Sequence, residues 1–371
     1  MSDRWQWHPL PPSTADRGAG GETDGRLDVV NVLTYDPHVS DAAPSTPPVI
    51  TMGRCGIDLY PLQVGVGLEH VTSFGKFLGG SSTNIAVAAA QLGNSGVATI
   101  TGVGDDPFGR WARTEMRRLG IDDRYVITSE KYLTPITFCE IFPPDNFPLY
   151  FYRRPSAPDL QVTPDDIPAA AVRDATVFWF TGTGLCQEPS WSAHLTALDH
   201  RAVAEHTIFD LDWRPMFWTS SDEARHRYDW CLARSTVAVG NIAECEVAVG
   251  ERDPDRAADA LLERGVQIAI VKQGPLGTLA KTRDERIVVP PTPTTPYNGL
   301  GAGDAFGGSL IDGLLHGRDL ETTIRRASAA GAIVASRLEC STAMPSADDI
   351  DRVLEAGGTD VLDGTRWTEG S

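Results

Sequence analysis

Residues 298–308 combine small residues with an acid in a pattern that suits phosphoryl-transfer chemistry. Gly301, Ala302 and Gly303 stand directly before Asp304, where a helical pattern begins. Small residues let backbone N–H groups converge at a helix start, where these groups and the helix dipole can stabilise phosphate charge. A carboxylate there can accept the proton of an attacking hydroxyl. The segment therefore predicts an anion hole with Asp304 as general base, although a loop whose aspartate caps a helix would share the pattern.

A second glycine-led helix start lies at residues 79–84. Gly80 permits close approach of a ligand to the backbone, and Asn84 can both donate and accept hydrogen bonds. The segment predicts contacts to a substrate, and an ordinary capped helix start is the alternative.

A third helix start carries Asn241 and Glu244, which lie three residues apart on one helix face. Their oxygens could hold magnesium through water, as hard oxygen ligands do. A capping pair with no ligand is the alternative.

Residues 210–215 follow a strand-like run and include Asp212 and Arg214. Ligands in open α/β sheets lie beyond the carboxyl ends of the strands, and an arginine there offers a planar fork to a carboxylate or phosphate. A structural Asp–Arg pair beside a turn is the alternative.

The loop after the run 267–272 contains Lys272, Gly274 and Gly277, and its glycines suit a chain segment lying against a nucleotide. A β-turn joining two strands is the alternative.

Strand-like and helical runs alternate between these motifs, which predicts an α/β three-layer sandwich around a mostly parallel sheet. Two further regions, about 58–76 and 134–153, alternate in polarity without helical period, so we expect a small β lid that shields the reaction from water. The expected strands are 49–52, 96–103, 176–180, 207–211, 235–239 and 267–272, and the expected helices are 81–92, 108–119, 257–264, 304–316 and 322–336.

Composition, net charge and cysteine spacing limit how the rest of the chain can be interpreted. Residues 1–47 and 357–371 are predicted tails around a domain at 48–356, with a possible docked strand at 27–33. A net charge of −18 argues against nucleic-acid or anionic-lipid partners. The chain has no apolar stretch of the ~20 residues that a membrane helix needs, and no apolar signal core. Its six cysteines are scattered, so we expect free thiols in the cytoplasm.

Five segments in order resemble the ribokinase-like, or PfkB, family of carbohydrate kinases over about residues 49–350: 52–59, 79–84, 241–244, 274–277 and 301–304. The resemblance implies an α/β sandwich with a small β lid, with ATP as the phosphoryl donor and Mg²⁺ as a cofactor. It implies Asp304 as the base and Gly301, Ala302 and Gly303 as the anion hole. It further implies Asp58, Gly80 and Asn84 at substrate hydroxyls, Asn241 and Glu244 at magnesium and phosphates, and Lys272, Gly274 and Gly277 near the nucleotide.

Segments 52–59, 77–80, 210–215 and 341–345 are most similar to family members that act on a keto sugar acid. Arg153, which follows a tyrosine in the lid region, and Arg214 with Asp212 are therefore candidates for binding the substrate carboxylate. A solvated surface charge is the alternative for Arg153. Kinases of other sugars and a catalytically silent sugar sensor stay open as functions.

One departure from the family pattern lies just before the anion hole. Asn298, Gly299 and Leu300 stand where many relatives have Asp-Thr-Thr, whose aspartate often contributes to a monovalent-cation site. The sequence therefore gives no support for potassium activation. Family members are often dimers through the lid, and the apolar alternation at 134–152 would permit a homodimer.

Overall fold

Two β-sheets organise the computed structural model, which describes residues 46–362. The strands are β1 (Val49–Met52), β2 (Gly56–Pro61), β3 (Phe74–Gly79), β4 (Val97–Gly104), β5 (Ile121–Asp122), β6 (Val126–Ser129), β7 (Ile136–Cys139), β8 (Leu149–Tyr152), β9 (Val177–Thr181), β10 (Thr207–Asp210), β11 (Val237–Asn241), β12 (Ile268–Lys272), β13 (Thr278–Lys281) and β14 (Arg286–Val289). The helices are α1 (Ser81–Gln91), α2 (Pro107–Arg118), α3 (Ala169–Asp174), α4 (Ser190–Arg201), α5 (Ser221–Leu232), α6 (Ile242–Val249), α7 (Pro254–Glu263), α8 (Ala302–Leu315), α9 (Leu320–Ala335) and α10 (Ala347–Ala356).

The larger sheet runs in the order β14-β13-β12-β11-β10-β9-β1-β4-β5, with β6 also paired to β4. Strands β1, β4, β5, β6 and β9–β12 are parallel, and β13 and β14 join antiparallel at one edge. The prediction of a mostly parallel sheet is confirmed. The antiparallel edge was not predicted, because β13 and β14 are only four residues long each and their apolar runs are shorter still.

Helices cover both faces of this sheet, as a three-layer sandwich requires. Neighbouring residues of β1 show the division: the fully buried Val49 packs into the core beneath α1, α8 and α9, and Ile50 packs into the core beneath α3–α5 and α7. Successive side chains of a strand point to opposite faces, so a continuous apolar run is what a sheet buried on both sides demands. The predicted fold class is confirmed.

Small residues bring α1 and α8 unusually close together on the first of these faces. A Cβ atom at Gly308 would lie 2.2 Å from Ala88 Cβ, so position 308 tolerates no side chain without moving one helix. The helix starts of α1 and α8, which carry Asn84 and Asp304, consequently meet at one point.

The smaller sheet has the order β3-β2-β7-β8 and lies in the two regions where the sequence predicts a β lid. Strands β2 and β7 are parallel, and the outer pairs are antiparallel. A single residue, Gly80, separates β3 from α1, so the lid strand leads directly into the helix that carries Asn84.

Past α10, residues Thr359–Leu362 form a short 3-10 helix, and Thr359 N donates to Pro293 O at 3.0 Å. The proposed strand at 27–33 lies outside the described residues, as do most of the two predicted tails. Helices α3, α4, α5 and α10 were not predicted from the sequence. Within residues 46–362 no helix is long and apolar enough to cross a bilayer.

Candidate active site

A polar cavity of about 70 Å³ lies where the carboxyl edge of the larger sheet, the lid and the first turn of α8 meet. Such a position at the carboxyl ends of parallel strands is the usual one for ligands of open α/β sheets. The cavity brings together predicted site residues from four separate motifs. Its lining consists of Arg54, Asp58, Tyr60, Gly80, Ser81, Asn84, Thr137, Leu149, Phe151, Arg214, Leu300, Gly301, Asp304 and Cys340.

Asp304 reaches this cavity because α8 begins on a glycine. Gly301 is the N-cap residue with φ +83°, and a Cβ atom there would lie 2.2 Å from Cys340 Sγ. The left-handed backbone and the contact both favour glycine. Asp304 therefore lies in the first turn of α8, where its side chain accepts a 2.9 Å hydrogen bond from Asn84 Nδ2.

The surroundings of Asp304 bring the pKa of its carboxyl close to neutral pH. Burial raises the pKa of this carboxyl to about 7, the Asn84 hydrogen bond opposes the rise, and the nearby Asp212 charge adds to it. A general base is most effective when its pKa lies near the working pH. The role of Asp304 as general base stays a prediction, and its pKa near 7 is consistent with that role.

Asp58 and Gly80 form the lid side of the cavity. Tyr60 Oη donates to Asp58 Oδ2 at 3.2 Å, and burial raises the pKa of Asp58 to about 6 against the opposing influence of Arg54. Gly80 has φ +98°, and a Cβ atom there would lie 2.3 Å from the carbonyl oxygen of Arg54. The structure therefore places both predicted residues beside Asn84 and Asp304, where an acceptor molecule could reach them.

Asp212 lies between two arginines rather than facing open space. Its Oδ2 accepts from Ser81 Oγ at 2.7 Å, Thr183 Oγ1 at 2.9 Å and Arg54 Nη2 at 3.2 Å. Its Oδ1 lies 3.0 Å from Arg214 Nη2. Burial would raise the pKa of Asp212, but Arg214 and Arg54 lower it to about 2. These contacts match the structural Asp–Arg alternative, so the carboxylate orients two guanidinium groups.

Lys272 is the last residue of β12, and its side chain lies beside the first turn of α8. Its Nζ lies 3.3 Å from the position that a Cβ atom would take at Gly303. Burial would lower the pKa of Lys272, but the carboxylates of Asp210, Glu244 and Asp304 raise it. A fixed ammonium beside backbone amides at a helix start suits the negative charge of a phosphate.

Gly274 and Gly277 shape the turn between β12 and β13. Their φ values are +58° and +94°, and Gln273 N donates to Gly277 O at 2.8 Å. The geometry matches the β-turn alternative, and a nucleotide contact at either glycine stays a prediction.

Asn241 and Glu244 form a reciprocal capping box at the start of α6. Asn241 N donates to Glu244 Oε2 at 2.7 Å, and Glu244 N donates to Asn241 Oδ1 at 3.0 Å. Glu244 Oε1 lies 3.9 Å from Arg214 Nη1. No three His, Cys, Asp or Glu side chains within residues 46–362 converge as a ready-made metal site. A water-mediated magnesium contact at this pair stays a prediction.

Arg153 is not among the residues that line the Asp304 cavity. Its Nη2 is 2.9 Å from Asp159 Oδ2, and the two side chains are 7% and 1% exposed, so the solvated alternative is wrong. The guanidinium also lies 4.8 Å from the centre of the Phe217 ring. Arg153 lines a smaller neighbouring cavity together with Arg54 and Gly80.

Asn298, which replaces the usual family aspartate, has a structural role. It is fully buried, its Nδ2 donates to Leu338 O at 2.7 Å, and its Oδ1 accepts from Leu300 N at 3.1 Å. The neutral amide thereby ties the loop before α8 to the segment that ends near Cys340.

Arg54 and Cys340 belong to the cavity although no site role was predicted for either. Arg54 lies inside segment 52–59, and that segment's resemblance to sugar-acid kinases was its one sequence signal. Cys340 Sγ lies 3.9 Å from Asp304 Oδ2, and 36 residues separate the two in sequence. No spacing rule could have connected them.

Residues 47–347 match the family model described as pfkB family carbohydrate kinase. The chain therefore belongs to the PfkB family of carbohydrate kinases, as the ordered motifs indicate. Two relatives of similar length are named 5-dehydro-2-deoxygluconokinase. The protein of Shouchella clausii is 32% identical over 83% of this chain and 95% of its own length, and that of Listeria monocytogenes serotype 4a is 33% identical over 82% and 95%. The resemblance to kinases of a keto sugar acid is confirmed.

Solved structures agree with the fold. A PfkB protein of Polaromonas superposes with a TM-score of 0.71 at 25% identity, covering 80% of this chain and 98% of that one. A putative ribokinase II from E. coli, solved with ATP and Mg²⁺, has a TM-score of 0.75 at 21% identity over 83% and 99% of the chains. At 21% identity, the likeness to the E. coli protein shows a shared fold only.

Proposed function

We propose that this carbohydrate kinase transfers the γ-phosphoryl group of ATP to the 6-hydroxyl of 5-dehydro-2-deoxy-D-gluconate, a step of myo-inositol catabolism in the cytoplasm. The observation that carries the proposal is the pairing, in one cavity, of Asp304 with two arginines, Arg54 and Arg214. A base near a helix start serves phosphoryl transfer, and buried guanidinium groups favour an anionic acceptor. The names of the relatives point to the same substrate.

In the proposed reaction, Asp304 takes the proton of the acceptor hydroxyl while the backbone N–H groups of the anion hole, Gly301–Gly303, stabilise the charge of the transferring group. Lys272 neutralises phosphate charge from the other side of the helix start. Asn84 fixes the carboxylate of Asp304 by its 2.9 Å hydrogen bond, so the base is oriented before the acceptor arrives.

Asp58 and Gly80 bind acceptor hydroxyls on the lid side, and Arg214, oriented by Asp212, binds negative charge. Magnesium, when bound, would neutralise phosphate oxygens and be held through water by Glu244 and Asn241, whose oxygen atoms fit a hard cation. A homodimer through the lid remains part of the proposal, because Tyr152 exposes 68% of its surface there.

An ADP-release assay against a panel of acceptors tests the function. With ATP and Mg²⁺, we expect the highest kcat/KM for 5-dehydro-2-deoxy-D-gluconate, and ³¹P spectra should show a 6-phosphate. Faster reaction with 2-keto-3-deoxygluconate or with D-fructose would assign the chain to another sugar kinase of the family. Absence of turnover with every sugar would indicate a sugar sensor that kept the fold.

A further inference from the structure

Arg54 is held rigidly at the boundary between the larger sheet and the lid. Its Nε donates to Thr183 Oγ1 at 2.9 Å, and its Nη2 donates to Ser81 Oγ and Asp212 Oδ2, both at 3.2 Å. The side chain is 8% exposed. A guanidinium fixed in this way loses little conformational freedom when a further anion binds to it.

The remaining nitrogen of Arg54 is free to bind a ligand. The hydrogen bonds of Arg54 to described residues all come from Nε and Nη2. Both N–H groups of Nη1 are therefore available as donors to a ligand. The guanidinium carbon lies 5.6 Å from the centre of the Phe151 ring and 5.8 Å from that of Phe217. Phe151 belongs to the lid and lines the Asp304 cavity, as Arg54 itself does. The guanidinium of Arg54 thus lies between two aromatic rings at the wall of the cavity.

The other two candidate arginines have carboxylate partners of their own, although the buried Nε of Arg214 has no hydrogen-bond partner. Arg153 forms a buried ion pair with Asp159 at 2.9 Å. Arg214 shares Asp212 with Arg54, but its Nη1 lies 3.9 Å from Glu244, the capping residue of α6 on the Lys272 side. Arg214 therefore faces the side expected to hold phosphate, and Arg54 faces the lid side expected to hold the acceptor.

The direct ion pairs of the cluster leave Arg54 with one shared carboxylate partner. Asp212 lies 3.2 Å from Arg54 Nη2 and 3.0 Å from Arg214 Nη2, and Arg214 has Glu244 at 3.9 Å as a second carboxylate. Among the described residues no other carboxylate forms an ion pair with Arg54, so an anionic ligand at Nη1 would supply an acceptor that Arg54 does not share.

We infer that Arg54 binds the carboxylate of the acceptor through Nη1, and that it thereby distinguishes sugar acids from neutral sugars. The inference rests on the proposed function for the identity of the acceptor. It assigns to Arg54 the carboxylate contact that the sequence predicts for Arg153 and Arg214.

Equilibrium binding of two matched ligands tests the inference without any turnover. D-gluconate and D-glucitol differ in carrying a carboxylate or a hydroxymethyl group at C1, and calorimetry gives Kd for each. We expect the wild-type chain to prefer gluconate. In Arg54→Gln the preference should fall about 10- to 100-fold, the range for hydrogen bonds to charged groups. In Arg54→Lys, which keeps a charge but loses the fork, it should fall about 3- to 10-fold.

Three further variants complete the design. Arg113→Gln removes an Arg–Asp pair of α2 that lies outside the cavity, and it should leave the gluconate preference unchanged. A loss there as large as in Arg54→Gln would overturn the inference, because the preference would then report general stability. If Arg153→Gln or Arg214→Gln abolishes the preference while Arg54→Gln retains it, the sequence-based assignment stands and the inference is wrong.

Two outcomes separate this inference from the proposed function. Equal affinity of the wild-type chain for gluconate and glucitol overturns the role of Arg54 even if a keto sugar acid is phosphorylated. Lack of turnover with sugar acids, together with an Arg54-dependent preference for gluconate, overturns the proposed reaction and supports the anion site. If Arg54→Gln does not fold, an undiminished preference in Arg54→Lys overturns the inference.

Discussion

Replacing Asp304 by asparagine isolates the chemistry of the base from its geometry. Asparagine has nearly the same shape, and its carbonyl oxygen can still accept the 2.9 Å hydrogen bond from Asn84 Nδ2. The helix start, Lys272 and the arginines stay in place. We therefore expect Asp304→Asn to bind ATP with wild-type Kd and to lose turnover.

The expected loss of kcat is about 10²- to 10⁴-fold, as for removal of a general base. This corresponds to about 3–5 kcal/mol of activation free energy. Because the pKa of Asp304 is about 7, wild-type kcat/KM should rise with pH through neutrality as the carboxyl loses its proton. The residual activity of Asp304→Asn should lack this rise.

The free energy of unfolding of the wild type should fall with rising pH, in the direction opposite to kcat/KM. The pKa of Asp304 lies above its ordinary value of 3.8, so the folded chain holds the proton more tightly than the unfolded chain. This contribution to the free energy of unfolding is greatest below pH 4 and falls as pH rises to about 7. Above pH 7 the free-energy cost of keeping the ionised Asp304 carboxylate buried approaches an upper limit of ~4 kcal/mol. Asp304→Asn should therefore be more stable than the wild type there.

Two measurements check these expectations: initial rates of ADP release between pH 5.5 and about 9, and chemical denaturation at about pH 5 and 8. Near-normal turnover of Asp304→Asn would refute the assignment of Asp304 as the base. Lower stability than wild type at pH 8 would refute the argument that the carboxylate is held at a cost. Loss of ATP binding would show that the substitution had disturbed the site rather than the base.

Two further substitutions test how the base is positioned. Asn84→Ala removes the hydrogen bond that lowers the pKa of Asp304, so the rise of kcat/KM should move to higher pH; an unmoved profile would contradict the role of Asn84. Gly301→Ala adds a Cβ atom 2.2 Å from Cys340 Sγ at φ +83°, and should lower the free energy of unfolding by about 1–3 kcal/mol. Gly317→Ala, at φ +59° in open space, is the control for backbone strain alone. An equal loss of unfolding free energy in Gly317→Ala would show that the contact with Cys340 adds nothing.

The sequence predicted the frame of the site because local rules determine it. Short, mostly apolar runs followed by glycine, such as residues 49–52, suit strands buried on both faces of a sheet. The strings around Gly80 and Gly301 signal places where a side chain does not fit, and the structure shows close contacts at both. The four residues around Asp304 alone would fit a helix cap equally well, and the ordered motifs elsewhere in the chain favour the prediction of a base.

The contacts of Arg54 could not be found in that way. Its partners Ser81, Thr183 and Asp212 lie 27, 129 and 158 residues away in sequence, and the fold alone brings them together. Asn241 illustrates a different limit, because a capping box and a magnesium-binding pair share one pattern of residue types. Neighbouring elements, rather than the motif, decide which role such a pair can take.

The close contact of α1 with α8 separates the parts of this enzyme that can change from those that cannot. Gly308 lies one helical turn after Asp304, and its contact with Ala88 fixes the distance between base and hydrogen-bond donor through the interior of the protein. The proposed acceptor side, by contrast, is lined by the lid strand of Phe151 and by the loop of Arg54. Substitutions in the lid and its adjoining loop can therefore change which acceptor fits without altering the helix packing that holds Asn84 beside Asp304.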